Sequence, residues 1–397
     1  FLKLQQIARI KKLESVGNCE SGLNYLLAVK PLPCYEKFDS ILILSENQDS
    51  IKIQALPWGG FSILSSTSIN PRITIQKLGL CANYNIDDTS ATLYLKNKGH
   101  PLTLCLNSNI QGKVYVPEAV IKYELMNGQS FSGAVLHKKL LNNSNDSLPE
   151  LGNYFADLNI NQLVSSNSES HANIISNQLH EDSISRSFSE NTLIITCENG
   201  RLNWDYVDGN IILLADSLLI IPNTCKLNDV IVIGKDIVIE NGTSGVMQCF
   251  AKNSIIVEDN VDLTYPSGLY LIPEQQENDN NFEIADEKSI FIGENVNHSG
   301  IVFSNYPMNS NNKDKLLLNL SKNSTLEGII YWPGSFQLKG EVSGQVITGS
   351  FYIKNAFGFY NNYMANGTIS KGTKLEELGF PGLFSNNNAG KIVKWLN

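Results

Sequence analysis

Short runs of apolar, mostly β-branched residues separated by polar corners recur through the second half of the chain. Residues 231–239 read IVIGKDIVI, 255–263 IIVEDNVDL, 290–298 IFIGENVNH and 318–326 LNLSKNSTL. Each unit has about three strand-forming residues, a corner containing Asp or Asn, and a second short strand. β-Branched residues suit a pleated, half-buried surface, and Asp or Asn tolerates the left-handed backbone of a sharp corner. One such unit cannot bury its apolar face alone, so repetition implies stacking. The pattern predicts a mainly β chain built on a parallel β-helix or related β-solenoid, with loops of variable length at its corners. Ile233, Ile239, Val257, Ile292, Leu320, Ile330 and Val346 are expected to point inward. The alternative is an antiparallel sandwich, which short strands and turns also signal.

Upstream the pattern changes. Residues 1–30 read as one helix, with Leu4, Ile7, Ile10, Leu13 and then Leu23, Leu26 and Leu27 near helical spacing. Gly17-Asn18 is its weak point, and Lys30-Pro31 ends it. Lys3, Arg9, Lys11 and Lys12 make its first half basic. Residues 31–100 alternate apolar and polar positions and predict a small antiparallel β domain. Its first hairpin pairs 38–44 with 50–56, and 73–80 and 91–95 continue it. Trp58, beside Gly59 and Gly60, is expected to anchor its core.

Residues 101–137 predict the first solenoid rungs. Residues 138–192 break the pattern and read as a polar insertion, partly helical, with Phe155, Leu158 and Leu163 on one side. The solenoid is expected over 193–370, with acidic or polar loops at 274–286 and 309–314. Residues 371–397 form a tail that either caps the last rung or grips a partner.

Composition narrows the function classes. Charged residues are only 17% of the chain and the net charge is −9. No basic stripe of the size nucleic acid requires is present. The seven cysteines form no CxxC pair and none has zinc-ligand spacing to a histidine, so no structural metal is expected. Cys81 with Cys105, and Cys19 with Cys34, are conceivable pairs; the favoured reading is that each cysteine is a small buried apolar residue. The chain opens on Phe1 rather than Met and has no apolar run long enough to span a bilayer.

Catalytic chemistry is not legible. Asp236, Asp259, Asp262, Glu258, Glu294 and Glu327 recur near corners, where acids serve as turn residues. His100, His137, His171, His180 and His298 share no register. No GxSxG, HExxH, P-loop or dinucleotide fingerprint occurs. Tyr331, Trp332, Phe336, Tyr352, Phe357, Phe359, Tyr360 and Tyr363 crowd the last rungs; most are expected in the core or cap, and an exposed subset would form a binding surface.

Two stretches resemble known families. Residues 19–28, CESGLNYLLA, are similar to the A-E-A-G-L-x-Y-A-L stretch that follows the membrane helix in minor pilins of the PilX and GspK kind. Residues 324–348, STLEGIIYWPGSFQLKGEVSGQVIT, resemble rungs near the C-termini of PilX-like pilus adhesins and of bactofilin-like polymer-forming proteins. The glycines there mark tight corners. The chain departs from mature type IV pilins, which follow Phe with an apolar run, because Lys3, Gln5 and Gln6 follow Phe1. The resemblance therefore implies a hydrophobic anchor preceding Phe1.

The resemblance implies a non-enzymatic pilin-like or pseudopilin-like subunit of a type IV pilus or type II secretion-type assembly, in the envelope, periplasm or surface of a diderm bacterium. It would take no cofactor and would meet other envelope subunits through its N-terminal helix, with a surface ligand or glycan as a further partner. Leu4, Ile7, Ile10, Leu13, Glu20 and Leu23 are the expected assembly interface, with a turn at 20–23 joining stalk to head. A carbohydrate-active parallel β-helix enzyme and a self-assembling bactofilin-like scaffold are the alternatives.

Overall fold

A computed structural model describes residues 2–28, 37–43, 50–70, 73–82, 90–168, 173–176, 182–274, 286–308, 315–355, 358–372, 378–384 and 390–396. The chain is mainly β and divides into two compact units. One comprises residues 1–85, 187–190 and 378–397; the other comprises 86–186 and 191–377.

The first unit is a helix on an antiparallel sheet. Helix α1 (Leu2–Ala28) runs without a break through Gly17 and through the turn expected at 20–23. Strands β1 (Phe38–Ile43), β2 (Ser50–Trp58), β3 (Phe61–Ile69) and β4 (Thr74–Ala82) follow as a meander. The expected first hairpin forms, with Phe38 opposite Ala55 and Ile43 opposite Ser50. Alternation in β2 sends Ile51, Ile53 and Ala55 to the helix side, where they bury Leu23 and Leu26. Each such leucine contributes about 1.5–3 kcal/mol. Trp58 is buried, and its ring meets Phe188 edge-on at 5.3 Å.

The tail expected as a solenoid cap does something else. Residues Lys391–Leu396 form β5, which pairs antiparallel with β4 as a fifth strand. The chain thus leaves this sheet after β4 and returns to the strand it left. In sequence, the residues of the second unit fall between β4 and β5 of the first, with 187–190 assigned to the first unit. Ile392 stands opposite Cys81 on β4 and packs against the apolar cluster shared by the helix and the sheet.

The second unit is built from parallel pairings between successive turns of chain, and three ladders repeat in chain order. The first aligns Val207, Leu227, Gly245, Leu263, His298, Leu326, Val342, Ile369 and Ile110. The second aligns Leu213, Val232, Cys249, Leu269, Val302, Ile330, Val346, Leu93, Val114 and Leu141. The third aligns Leu219, Ile237, Ile255, Ile290, Leu318, Phe336 and Phe351. Most of these side chains share one continuous buried core.

Corners between the third ladder and the next first ladder are left-handed. Gly242, Asn260, Asn295 and Asn323 occupy them, the asparagines at φ 57°, 56° and 59°. The Asn295 amide donates to Asn260 Oδ1 at 3.3 Å. Residues 255, 290 and 318 are therefore in phase. Residue 231 is not, because Ile237 rather than Ile231 pairs with Ile255. Residues 234–236 form a different corner, between the second and third ladders.

Three further expectations shift. Leu93–Leu95 belongs to the second ladder and pairs in parallel with Val346 and Val114, so it does not extend the antiparallel domain and the early rungs begin before 101. Those early strands pair in parallel with the late ones, Leu93–Leu95 with 346–348 and Ile110 with Ile369. Ile233 is buried but on the outer side, where it lines a cleft with Ile160 and Val164 while Val232 enters the core.

The insertion accounts for that cleft. From Leu141 the chain climbs the outside of the second ladder, rung by rung. Tyr94 Oη donates to the Ser147 carbonyl, and Tyr331 Oη to that of Pro149. The Asn305 amide donates to the carbonyls of Phe155 and Leu158, at 3.0 and 2.8 Å. Helices α2 (Asn153–Asp157) and α3 (Ile160–Ser168) complete the climb. Beneath them lies an outward column of Phe250, Tyr270, Phe303 and Tyr331, with Phe250 and Tyr270 stacked at 4.3 Å. Phe155 meets Phe303 edge-on at 5.4 Å, so the apolar side of the insertion has a partner. Phe155, Leu158 and Leu163 are all buried, as their spacing predicts.

Candidate assembly interface

Helix α1 has two unlike halves. In the second, Ser15, Cys19, Gly22, Leu23 and Leu26 fall on one face at helical spacing and are buried. Gly22 permits the close approach: a Cβ there would sit 2.3 Å from Ser66 Oγ. Cys19 Sγ donates to the Ile75 carbonyl at 3.1 Å, and burial pushes its thiol pKa up. Lys77 Nζ meets Glu20 at 2.5 Å across the helix–sheet boundary. That pair is partly solvated and worth at most about 1 kcal/mol.

The first half buries little. Ile7, Ile10 and Leu13 are 46%, 55% and 64% exposed. Arg9 and Lys12 are exposed beside them, and no acid occurs in the first turn. The side chain of Leu4 lies outside the described residues. The expected interface therefore divides in two. Ile7, Ile10 and Leu13 remain open, whereas Leu23 is 2% exposed and Glu20 is engaged by Lys77. Leu23 belongs to the core of its own unit because the sheet offers it Ile51 and Ile53, whereas Ile7, Ile10 and Leu13 are exposed among the described residues.

The corner acids do not converge. Glu258 accepts from the Asn241 amide N–H at 2.9 Å, and Asp259 from that of Glu294 at 2.7 Å. Glu294 pairs with Lys322 at 3.3 Å in solvent, and Asp236 accepts from Ser254 Oγ at 2.6 Å. Asp262 is exposed and Glu327 half-buried. Each acid serves its own corner, and among the described residues no group of three His, Cys, Asp or Glu side chains is placed to hold a metal ion. No protein-family model, curated protein or solved structure matches the chain.

His298 stands in the first ladder between Leu263 and Leu326. It is 2% exposed, its Nε2 lies 3.2 Å from the Ile301 carbonyl, and burial lowers its pKa to about 4. It is a neutral core side chain. His171 and His180 lie outside the described residues, as do Cys34 and Phe357. The six described cysteines are free thiols and all are buried, so Cys81 and Cys105 do not pair. Burial raises the Cys197 and Cys225 thiols to about 12, which makes them unreactive.

One feature of the second unit escaped the sequence. A cleft of about 420 Å³ lies between α3 and the outer side of the second ladder. Ile160, Val164, Leu214 and Ile233 line it, with Lys235 and Lys252 beside them. Its residues come from five stretches of chain, so no local motif could announce it. Of the late aromatics, Trp332 and Phe336 are core, Tyr352 is buried, and Phe359 is 45% exposed while stacking on Tyr352 at 5.3 Å.

Proposed function

We propose that the chain is a non-enzymatic, pilin-like or pseudopilin-like envelope subunit whose second unit is a β-solenoid head inserted in a small helix-on-sheet body. The observation that carries this reading is the half-embedded helix. Its second half is fixed to its own sheet, and its first half holds Ile7, Ile10 and Leu13 in solvent. Exposed apolar side chains at helical spacing mark an interaction surface. The resemblance of residues 19–28 to pilin stalks falls on the half that meets the sheet. The parallel in-register ladders and left-handed corners support a solenoid for the head.

In this reading the partners are helices of neighbouring subunits, and the anchor is a segment preceding Phe1. A photo-reactive residue at position 10, in cells assembling the full-length protein, should cross-link to another envelope subunit. The same residue at position 23 should cross-link within the chain. Position 10 yielding only intramolecular products would overturn the reading.

A further inference from the structure

At the corner between the second and third ladders, three side chains from successive turns meet. Asp236, Asn253 and Lys288 come from chain segments that stack in register: Asp236 pairs with Ser254, and Ser254 with Ser289. Lys288 Nζ donates to Asn253 Oδ1 at 2.5 Å, which brings the amine and the carboxamide together. Asn253 Nδ2 lies 3.4 Å from Asp236 Oδ2. Ser254 Oγ donates to Asp236 Oδ1 at 2.6 Å and fixes the carboxylate. All three side chains are half-buried.

The geometry points to a covalent cross-link at this corner: an amide formed between Lys288 Nζ and Asn253 Cγ with release of ammonia. A lysine amine, a carboxamide and an adjacent carboxylate supply nucleophile, electrophile and proton carrier. Lys288 reacts as the free amine, its ammonium proton having gone to solvent. Nζ attacks Cγ, and a C–N bond forms. Asp236 takes the proton that Nζ then sheds and passes it to Nδ2. The Cγ–Nδ2 bond breaks, ammonia leaves, and Asp236 is a carboxylate again. One amide replaces another, nothing is oxidised or reduced, and no other reactant is needed.

The surroundings favour the free amine. Burial lowers the Lys288 pKa, and although Asp286 and Asp236 oppose this, Lys252 and Lys235 add to it. Parallel rungs bring the nucleophile and the amide to a contact at which effective concentrations are high. The product would tie the strand at 244–257 to the strand at 288–292, which pair in parallel. This inference is independent of the assembly reading.

Intact-mass spectrometry of the purified full chain tests it. The expected mass is about 17 Da below that of the sequence, one ammonia lost per chain. Fragmentation of a digest should recover a branched peptide joining residues 253 and 288. Lys288→Arg should restore the full mass, and Asp236→Asn should leave most molecules uncross-linked. A wild-type protein at its full sequence mass would overturn the proposal. So would a deficit that mild alkali abolishes and that maps to an Asn-Gly pair such as Asn241-Gly242, since that marks a succinimide. A cross-link that persists in Asp236→Asn would overturn the role given to Asp236.

Discussion

Val346 and Leu93 are in-register partners in a parallel ladder, although one lies in the last long strand of the coil and the other in its first short one. The Val346 amide also donates to the Thr92 carbonyl at 2.9 Å. The early strands at 93–143 therefore extend the stack at one end, and the other end is not at 193 as expected: residues 173–176 and 183–186, inside the expected insertion, pair in parallel with 193–196 and 206–209.

This closure makes Leu93 a long-range core residue. It is fully buried. Leu93→Ala should cost about 2–5 kcal/mol and lower the midpoint of a cooperative urea transition. A small local change confined to 93–143 in hydrogen exchange would instead make those strands a separate module. Ile330→Asp, in the same buried column, should yield no folded second unit, because an unpaired buried charge costs several kcal/mol.

His298 links stability to pH. The unfolded histidine takes a proton near its ordinary pKa of about 6.5, whereas the folded one does so only at about 4. Between those values unfolding takes up a proton. The stabilisation is complete above pH 6.5 and is lost as pH falls towards 4, by up to about 3 kcal/mol. Urea midpoints measured across that window should fall for the native chain. In His298→Leu this contribution to the slope should be missing, and an unchanged slope would show that other groups carry it.

The two halves of α1 should behave oppositely. Deleting residues 1–13 removes Ile7, Ile10 and Leu13, which are exposed among the described residues, so the melting temperature should move by no more than a few degrees. Leu23→Asp places a carboxylate against Ile51 and Ile53 and should unfold the first unit. Aggregation of the deletion variant would mean that the first half of the helix has a partner within the chain, and it would count against the stalk reading.

The corner asparagines carry a conformational cost that few residues tolerate. Asn295 sits at φ 56° with its amide bonded to Asn260. Asn295→Val should destabilise by roughly 1–2 kcal/mol or more, since a β-branched residue resists that backbone. Asn295→Gly should lie within about 1 kcal/mol of the native chain. Equal effects of the two substitutions, by chemical denaturation, would place the cost in the lost amide contact instead.

What the sequence determined by itself is local. The strand–corner–strand units at 255, 290 and 318 were legible because each corner needs an Asn in a left-handed conformation and each strand needs β-branched residues, and both demands are met within nine residues. The first hairpin, the core place of Trp58 and the apolar side of the insertion were readable for the same reason. Only the tertiary structure decided the rest. Nothing local distinguishes Ile231 from Ile237 as the partner of Ile255, because IVI and IVI are the same string. Nothing near Leu93 says that its neighbour is Val346, and nothing near Ile392 says that β4 lies alongside, since pairing energy depends on which edge is free when the chain arrives. The same holds for α1: Leu13 and Leu23 look alike in sequence, yet one stays in solvent and the other is core, because the sheet reaches only as far as the second half of the helix.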